Sequence, residues 1–383
     1  MDFSFTEEQE MLRDSVAKLM ARHAPLASVR KWEKGRAFPE ELYQAWVEAG
    51  LLRLPFPTDV GGLGGSALEL AIVVYEISRI STDLCMAYSG SVFCGLNILR
   101  KGTDAQRNFW LPRLLDGRIK FSIGISEPDA GSDVGNIRTF AERHGDQYII
   151  NGQKLWTTGA ALQNSVICTY VKTDKAAPYR KAMTHVLIDN TTQGLELRKL
   201  DMLGRRTIGT YEIFFRDVEV NADRVIGGEG GGWDCLMSGL QYERAVSAAG
   251  NVGGSQAIVD LAISYARERI QFNQQIGSFQ AIGHMLADME TELEAGKLLM
   301  WRAAWLVSQD RDALREITHA KLFTSELYAK LANMGVQVMG AYGLNEEFDM
   351  QRYFRDSRSS TIAAGTSQAQ RNLLANLMGF KAR

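Results

Sequence analysis

Two short segments carry residue types suited to holding a flat, polar ligand. The first reads Ile125-Ser126-Glu127-Pro128-Asp129-Ala130-Gly131-Ser132-Asp133. It is a polar turn in which Gly131 and Ser132 let the backbone come close to a bound group, because neither is bulky. The second reads Gly152-Gln153-Lys154-Leu155-Trp156-Thr157-Thr158-Gly159. An aromatic followed by two hydroxyls and a glycine can flank a planar ring; taken alone, it is equally a strand end with a packed tryptophan. A third segment, Gly62-Leu63-Gly64-Gly65-Ser66-Ala67, matches the dinucleotide fingerprint G-x-G-x-x-A. Pro55 and Pro57 precede it, where that fingerprint needs a buried strand. No alternation of strands and helices surrounds it, so it reads as a glycine turn. The four cysteines, Cys85, Cys94, Cys168 and Cys235, form no C-x-x-C pair and have no histidine cluster beside them. They read as buried free thiols of a reducing compartment rather than zinc ligands or a disulfide framework.

The elements that must position these segments change character along the chain. Thr6 with Gln9 three residues on forms a capping box at the start of a helix over 6–23, followed by Met11, Leu12, Val16 and Leu19 at helical spacing. Further helices are expected over 39–49, ended by Gly50, and over 67–80 and 87–101. The middle third holds short runs with β-branched residues at 147–152, 165–171, 185–188 and 210–220. Gly, Asn and Asp punctuate them, which predicts several short strands in a small β domain. No proline follows Pro178, and from Trp233 onward the chain is again helical. Leu286, Met289, Leu293, Gly296, Met300 and Ala304 form one face of a long helix, as a bundle requires. The expected class is α+β: an N-terminal helical domain (1–118), a middle small β-barrel or sandwich domain (119–230) and a C-terminal four-helix bundle (231–383).

With 383 residues, 45% hydrophobic and 23% charged, the chain can bury two or three such units. A net charge of −2 gives no reason to expect a nucleic-acid partner. The N-terminus is acidic and lacks a hydrophobic signal core, and the most apolar short runs are too short to span a bilayer, so the expectation is cytoplasmic with no membrane partner. No metal site is expected.

The segments around Ser126 and Trp156, at this spacing and in a β domain, resemble the acyl-CoA dehydrogenase family. Phe56 to Leu63 is similar to a loop of that family's N-terminal domain. Arg267-Glu268-Arg269-Ile270-Gln271-Phe272 with Gln280 resembles its segment that reaches FAD in a neighbouring subunit. Gln337-Val338-Met339-Gly340-Ala341-Tyr342-Gly343 resembles its Q-x-x-G-G-x-G loop, with Ala341 in place of the second glycine. Arg355-Asp356 and Gly365-Thr366-Ser367-Gln368 resemble its C-terminal signature. The resemblance covers nearly the whole chain and implies the same α–β–α order.

The resemblance implies an FAD enzyme that removes a proton from the α carbon and a hydride from the β carbon of an acyl thioester. It places the backbones of Ile125 and Ser126 on the flavin pyrimidine, with Ser132 close to both cofactor and substrate. Thr158 then lies at flavin N5 and Trp156 beside the ring. Arg269, Phe272, Gln280, Gln337 and Gly340 hold the adenosine-diphosphate part across a subunit contact, and Thr366 and Gln368 hold FAD from the other end of the bundle. The Ala364 N–H, with a ribityl hydroxyl, holds the thioester oxygen. Many members carry Tyr-Glu before Gly-Thr, that glutamate being the base; here Ala363 and Ala364 stand instead. Isovaleryl-type and long-chain-type members place the glutamate on an earlier helix, and Glu243 in Gln241-Tyr242-Glu243-Arg244 lines up with it. Gln241 stands where many members have an aspartate on the pantetheine arm, and Arg244 matches an arginine near the substrate. The paired alanines leave room for a short, branched or cyclic acyl group.

Expected partners are acyl-CoA, an electron-transfer flavoprotein, and copies of the chain in a homotetramer built as two dimers. Alternatives are a carrier-protein-bound aminoacyl thioester such as prolyl, and enoyl-CoA reduction in the reverse direction. Some members of this fold bind DNA through an added basic C-terminal region; Lys381 and Arg383 make no such footprint.

Overall fold

The computed structural model describes residues 4–381, without the side chains of Leu240 and Gln241. Six helices come first: α1 (Glu7–His23), α2 (Leu26–Gly35), α3 (Glu40–Glu48), α4 (Ala67–Ile80), α5 (Thr82–Lys101) and α6 (Asp104–Leu115). The expected capping box starts α1: Thr6 Oγ1 accepts from the Gln9 N–H and the Gln9 side chain accepts from the Thr6 N–H. Ser66 and Glu69 repeat the device on α4. The glycine run before it is a turn, with Gly62 packed so closely on the Phe56 carbonyl that a Cβ would lie 1.9 Å from that oxygen. Helix α5 starts at Thr82 rather than at 87, because the Ser81 hydroxyl caps it by accepting from the Leu84 N–H.

The middle of the chain forms β1 (Lys120–Gly124), β2 (Phe140–His144), β3 (Gln147–Thr158), β4 (Ser165–Lys172), a single turn α7 (Tyr179–Ala182), β5 (Met183–Asp189), β6 (Leu195–Leu200), β7 (Thr210–Asn221) and β8 (Val225–Ile226). They make one sheet in the order β6-β7-β3-β2-β4-β5-β8, with β1 added parallel to β4. β2 meets β4 only at Phe140–Lys172, so the sheet folds over there and encloses its own core. Ile167 and Val171 of β4 point into that core, with Ile150, Val186, Ile213 and Phe215. Cys168 and Tyr170 point the other way, into the helical core. Both faces of β4 are thereby buried, which explains its apolar run, broken only by Thr169 between Val166 and Val171.

The remainder is helical: α8 (Gly232–Glu268), a small hairpin β9 (Ile270–Gln271) and β10 (Gln274–Gln275), α9 (Gln280–Ser308), α10 (Leu314–Met339), α11 (Met350–Ser360) and α12 (Ser367–Leu377). Met289, Leu293, Gly296, Met300 and Ala304 of the expected stripe are buried, and Leu286 packs at its edge. Two glycines let α8 approach its neighbours. A Cβ on Gly253 would lie 2.3 Å from the Tyr75 carbonyl oxygen of α4, and one on Gly254 2.7 Å from the Tyr328 ring of α10. The architecture is the α+β one expected. All four cysteines are free and buried. No helix among the described residues is long and apolar enough to cross a membrane.

Candidate active site

The two segments singled out in the sequence lie side by side. The Leu155 N–H donates to the Ser126 carbonyl at 2.8 Å, so residues 125–126 run along the end of β3. Lys154, with none of its surface exposed, donates from Nζ to the Ile125 carbonyl at 3.0 Å and to Glu127 Oε1 at 2.7 Å. Glu127 accepts in turn from the N–H groups of Arg138 and Thr139. Burial pushes the Lys154 ammonium down to about 8 against the pull of Glu127. This ion pair is the peg on which the 125–139 loop hangs. Lys154 sits on the inward-facing parity of β3, with Tyr148 and Ile150. A charged residue at an inward position was the signal the sequence offered for it.

Beyond Lys154 the pairing of β3 with β7 slips, and Trp156 sits in the slip at φ 66° with 53% of its surface exposed. An exposed indole on left-handed backbone is costly for a non-glycine residue and leaves a flat face for a planar ligand. The Thr158 hydroxyl is 3.2 Å from that of Thr210 across the strands. Ser132 lies exposed in the turn.

The loop at 201–209, just before Thr210, docks this end of the sheet on the bundle. The Arg205 N–H donates to Asp356 Oδ1 of α11, and the Thr207 N–H to Asp83 Oδ2 of α5. Helix α11 ends at Ser360 and leads into a tight turn. Ala364 there has φ 55° and Gly365 φ 90°. The Gly365 carbonyl accepts from the Gln370 side chain, and the Thr366 hydroxyl caps α12 by accepting from the Ala369 N–H. Among the described residues no acceptor meets the Ala364 N–H. Gln368 is exposed one turn along.

Against this turn lies α8. The Arg244 guanidinium reaches Gly365, its Nη2 standing 3.6 Å from where a Cβ on that glycine would be. Arg244 Nε is buried without a hydrogen bond. Glu243 is half-buried, and desolvation raises its carboxyl above the usual range while Arg244 and Lys321 pull it down. Gln241, expected on the substrate arm, lies outside the described side chains. Lys321 had no role in the sequence reading, although it falls at a core-facing spacing with Ile317, Thr324 and Tyr328.

Arg269, Phe272, Gln280, Gln337 and Gly340 are not brought to Glu243. They gather at the other end of the bundle, about 39 Å along α8 from Glu243 at 1.5 Å per residue. Arg269 lies over the Tyr342 ring at 5.6 Å, which joins the start of the β9–β10 hairpin to the Gln337–Gly343 segment. Phe272 is 88% exposed at φ 50°. A cavity of about 550 Å³ between the end of α5 and residues 222–228 is lined by Arg100, Lys101 and Arg107 and holds none of these residues. The approach of Arg244, next to Glu243, to the Gly365 turn points to the candidate site, not cavity size.

Two helical units that share one core, with a sheet packed against them and a strained, exposed tryptophan on that sheet, define an α–β–α architecture. Family models confirm which one: acyl-CoA dehydrogenase N-terminal domain over residues 6–118, middle domain over 122–218 and C-terminal domain over 230–379. The chain belongs to the acyl-CoA dehydrogenase family. It is 35% identical to the probable acyl-CoA dehydrogenase YngJ of Bacillus subtilis, over 98% of this chain and 99% of that one. It is likewise 35% identical to mitochondrial isovaleryl-CoA dehydrogenase of Pongo abelii, over 96% of this chain and 87% of that one. Identity is 31% to the caffeyl-CoA reductase-Etf complex subunit CarC of Acetobacterium woodii, over 98% and 99%. Butyryl-CoA dehydrogenase of Megasphaera elsdenii superposes with a TM-score of 0.93 at 27% identity, over 99% of this chain and all of that one. The prolyl acyl carrier protein oxidase AnaB does so with 0.92 at 28%, over 98% and 100%. The chain is therefore an FAD-dependent oxidoreductase acting on CH–CH groups. The half-exposed Trp156 and the unmet Ala364 N–H suit such a cofactor and its thioester substrate.

Proposed function

We propose that this chain dehydrogenates a short, branched or cyclic acyl-CoA between its α and β carbons, with Glu243 as base. The observation that carries the reading is the half-buried Glu243, whose carboxyl is raised by desolvation and whose chain neighbour Arg244 reaches the Gly365 turn. A carboxyl lifted toward neutrality suits general-base work. The α proton passes to Glu243, and the bonding pair it leaves forms the C=C bond as hydride departs from the β carbon. FAD, when bound, supplies the acceptor for that hydride. The chain's own part is to hold the thioester oxygen on the Ala364 N–H, a kind of donor worth roughly 3 kcal/mol in comparable sites. Arg244, beside Gly365, orients the substrate, and Gln241 meets its arm.

Ile125, Ser126, Ser132, Trp156 and Thr158 hold the flavin in this reading, and Thr366 and Gln368 hold FAD from the turn. Arg269, Phe272, Gln280, Gln337 and Gly340 serve a neighbouring chain's FAD. Their distance from Glu243 within one chain, and the bare Phe272, support a site completed by a second chain, within the homotetramer of two dimers that the resemblance implies. The three units divide near 118/119 and 230/231. Electrons leave to an electron-transfer flavoprotein, a reading supported by the likeness to CarC, a subunit of an Etf complex. The likeness to AnaB keeps a carrier-protein thioester as second reading.

Anaerobic addition of butyryl-, isovaleryl- and cyclohexanecarboxyl-CoA to the holoenzyme tests the activity through bleaching of the oxidised flavin band. Glu243→Gln should bind flavin and lose bleaching by a thousandfold or more, on the order of 4 kcal/mol of barrier. Wild-type bleaching in that variant sinks the assignment of the base. A flavin that no acyl-CoA bleaches, but a prolyl-loaded carrier protein does, moves the substrate to the second reading.

A further inference from the structure

The cavity at the end of α5, about 550 Å³, holds none of the residues assigned above to flavin or thioester. Its walls are the last residues of α5, the first turn of α6 and the segment 222–228 that leads from β7 to α8. Gln106 of α6 ties these walls together: its Nε2 donates to the Asp223 carbonyl at 2.7 Å and to the Val225 carbonyl at 2.8 Å. The cavity is thus built into the fold. Its volume lies within the range of small-molecule sites, roughly 300 to 1,000 Å³.

The lining carries three cations, Arg100, Lys101 and Arg107, against one carboxylate, Asp223. In a chain of net charge −2 this is a local excess of the opposite sign. Among the described residues, Arg107 alone of the three has a carboxylate partner, Asp104 at 3.2 Å. The Arg100 guanidinium lies instead over the Tyr242 ring, its Cζ 4.8 Å from the ring centre. Arg100 Nη1 and Arg107 Nε are buried without a hydrogen-bond partner. An oxyanion is the partner such groups take, through paired N–H bonds from the planar fork. Ala105, Ala222 and Val225 add an apolar part to the walls, for which a bare inorganic ion has no use.

The position separates this cavity from the thioester site. Tyr242 and Arg244 stand two residues apart on α8, about 200° at 3.6 residues per turn, and so point to opposite sides of the helix. Arg244 reaches the Gly365 turn, whereas Tyr242 receives Arg100. We propose that the cavity binds a phosphate-bearing small molecule of nucleotide size, its phosphates on Arg100 and Arg107, at a site distinct from that of the acyl thioester. Nothing in this depends on Glu243 being the base.

Calorimetric titration of the holoenzyme tests it, with crotonyl-CoA in excess to fill the thioester site. The probes are ADP and inorganic pyrophosphate, with citrate as a carboxylate control. ADP should bind saturably, one per chain, more tightly than the other two, and more weakly as salt rises. Arg100→Gln and Arg107→Gln should each weaken ADP binding by about tenfold or more, as for loss of a charge-assisted hydrogen bond. Asp223→Asn, which removes the like charge, should tighten it by roughly two- to fivefold; a damaged fold cannot imitate that gain. Flavin content and the thermal midpoint report whether each variant is intact. The proposal is overturned by a wild-type holoenzyme that binds no ADP, by pyrophosphate or citrate binding as tightly as ADP, or by ADP affinity unchanged in both arginine variants. If neither arginine variant folds, Asp223→Asn decides, since an unchanged or weaker affinity there sinks the proposal and a tighter one supports it.

Discussion

At the scale of single residues, the site is assembled from groups that are expensive to bury and are retained through specific partners. Lys154 and Glu127 form such a pair, and each also holds backbone of the 125–139 loop. Breaking a buried pair from one side leaves an uncompensated charge, which costs about 3 to 5 kcal/mol. Lys154→Met should therefore lower the melting temperature by several degrees and release flavin, measured by thermal scanning with parallel flavin fluorescence. A variant that keeps both would show that the loop hangs from something else. Ala364 stores strain of the opposite kind, in its backbone. Glycine at this position relieves the left-handed conformation, worth roughly 1 kcal/mol. Ala364→Gly should thus raise the urea midpoint, the relief outweighing the roughly 0.4 to 1 kcal/mol that the freer unfolded chain costs. Ala364→Val should lower it.

At the scale of elements, α8 is the organising piece. Its 37 residues carry Glu243 and Arg244 near one end and lead to Arg269 at the other. The helix reaches both functions because Gly253 and Gly254 let it lie directly on α4 and α10. In Gly253→Ala the new methyl meets a backbone carbonyl, which cannot move aside as a side chain can. Overpacking of this kind costs roughly 1 to 3 kcal/mol, more than the gain of about 1 kcal/mol in helix propensity. Equilibrium denaturation should show a net loss for Gly253→Ala; a net gain would mean that α4 and α8 separate easily. The strands show the complementary case. Residues 147–152 announce a strand by their pattern, but β3 continues to Thr158, because β7 pairs with it beyond the slip at Trp156.

At the scale of the whole molecule, the units are joined where carboxylates are shut away. Asp83 of α5 and Asp356 of α11 each accept one N–H from the 201–209 loop, and each has its other oxygen buried without a partner. Burial, reinforced by Asp356, pushes Asp83 up from 3.8 to about 7. The folded chain thus binds a proton there that the unfolded chain releases. Stability from this group is full below about pH 4, is lost progressively as pH rises toward 7, and stays flat above. Asp83→Asn keeps an acceptor for Thr207 and needs no proton. Its melting temperature relative to wild type should be higher at pH 8 than at pH 5, and an equal difference at both would exclude the proton held at Asp83.

Much of this protein was legible in its residues because much of it is local. Thr6 with Gln9 starts α1 whatever surrounds it, since a capping box closes within one turn. The stripe from Met289 to Ala304 faces a core because its period is that of a helix. The order of helical, β and helical units follows from such signals, and the family resemblance pairs the Ser126 and Trp156 segments, which lie side by side. Other matters needed the fold. Lys154 stands at an inward position of β3, but that Glu127 is its partner needed the fold. The separation of Arg269 and Phe272 from Glu243 was decided by the length of α8. Local hydrogen bonding and side-chain period act over a few residues and can be read along the chain; electrostatic partnership between buried charges depends on distances in space, and only the packed structure sets those.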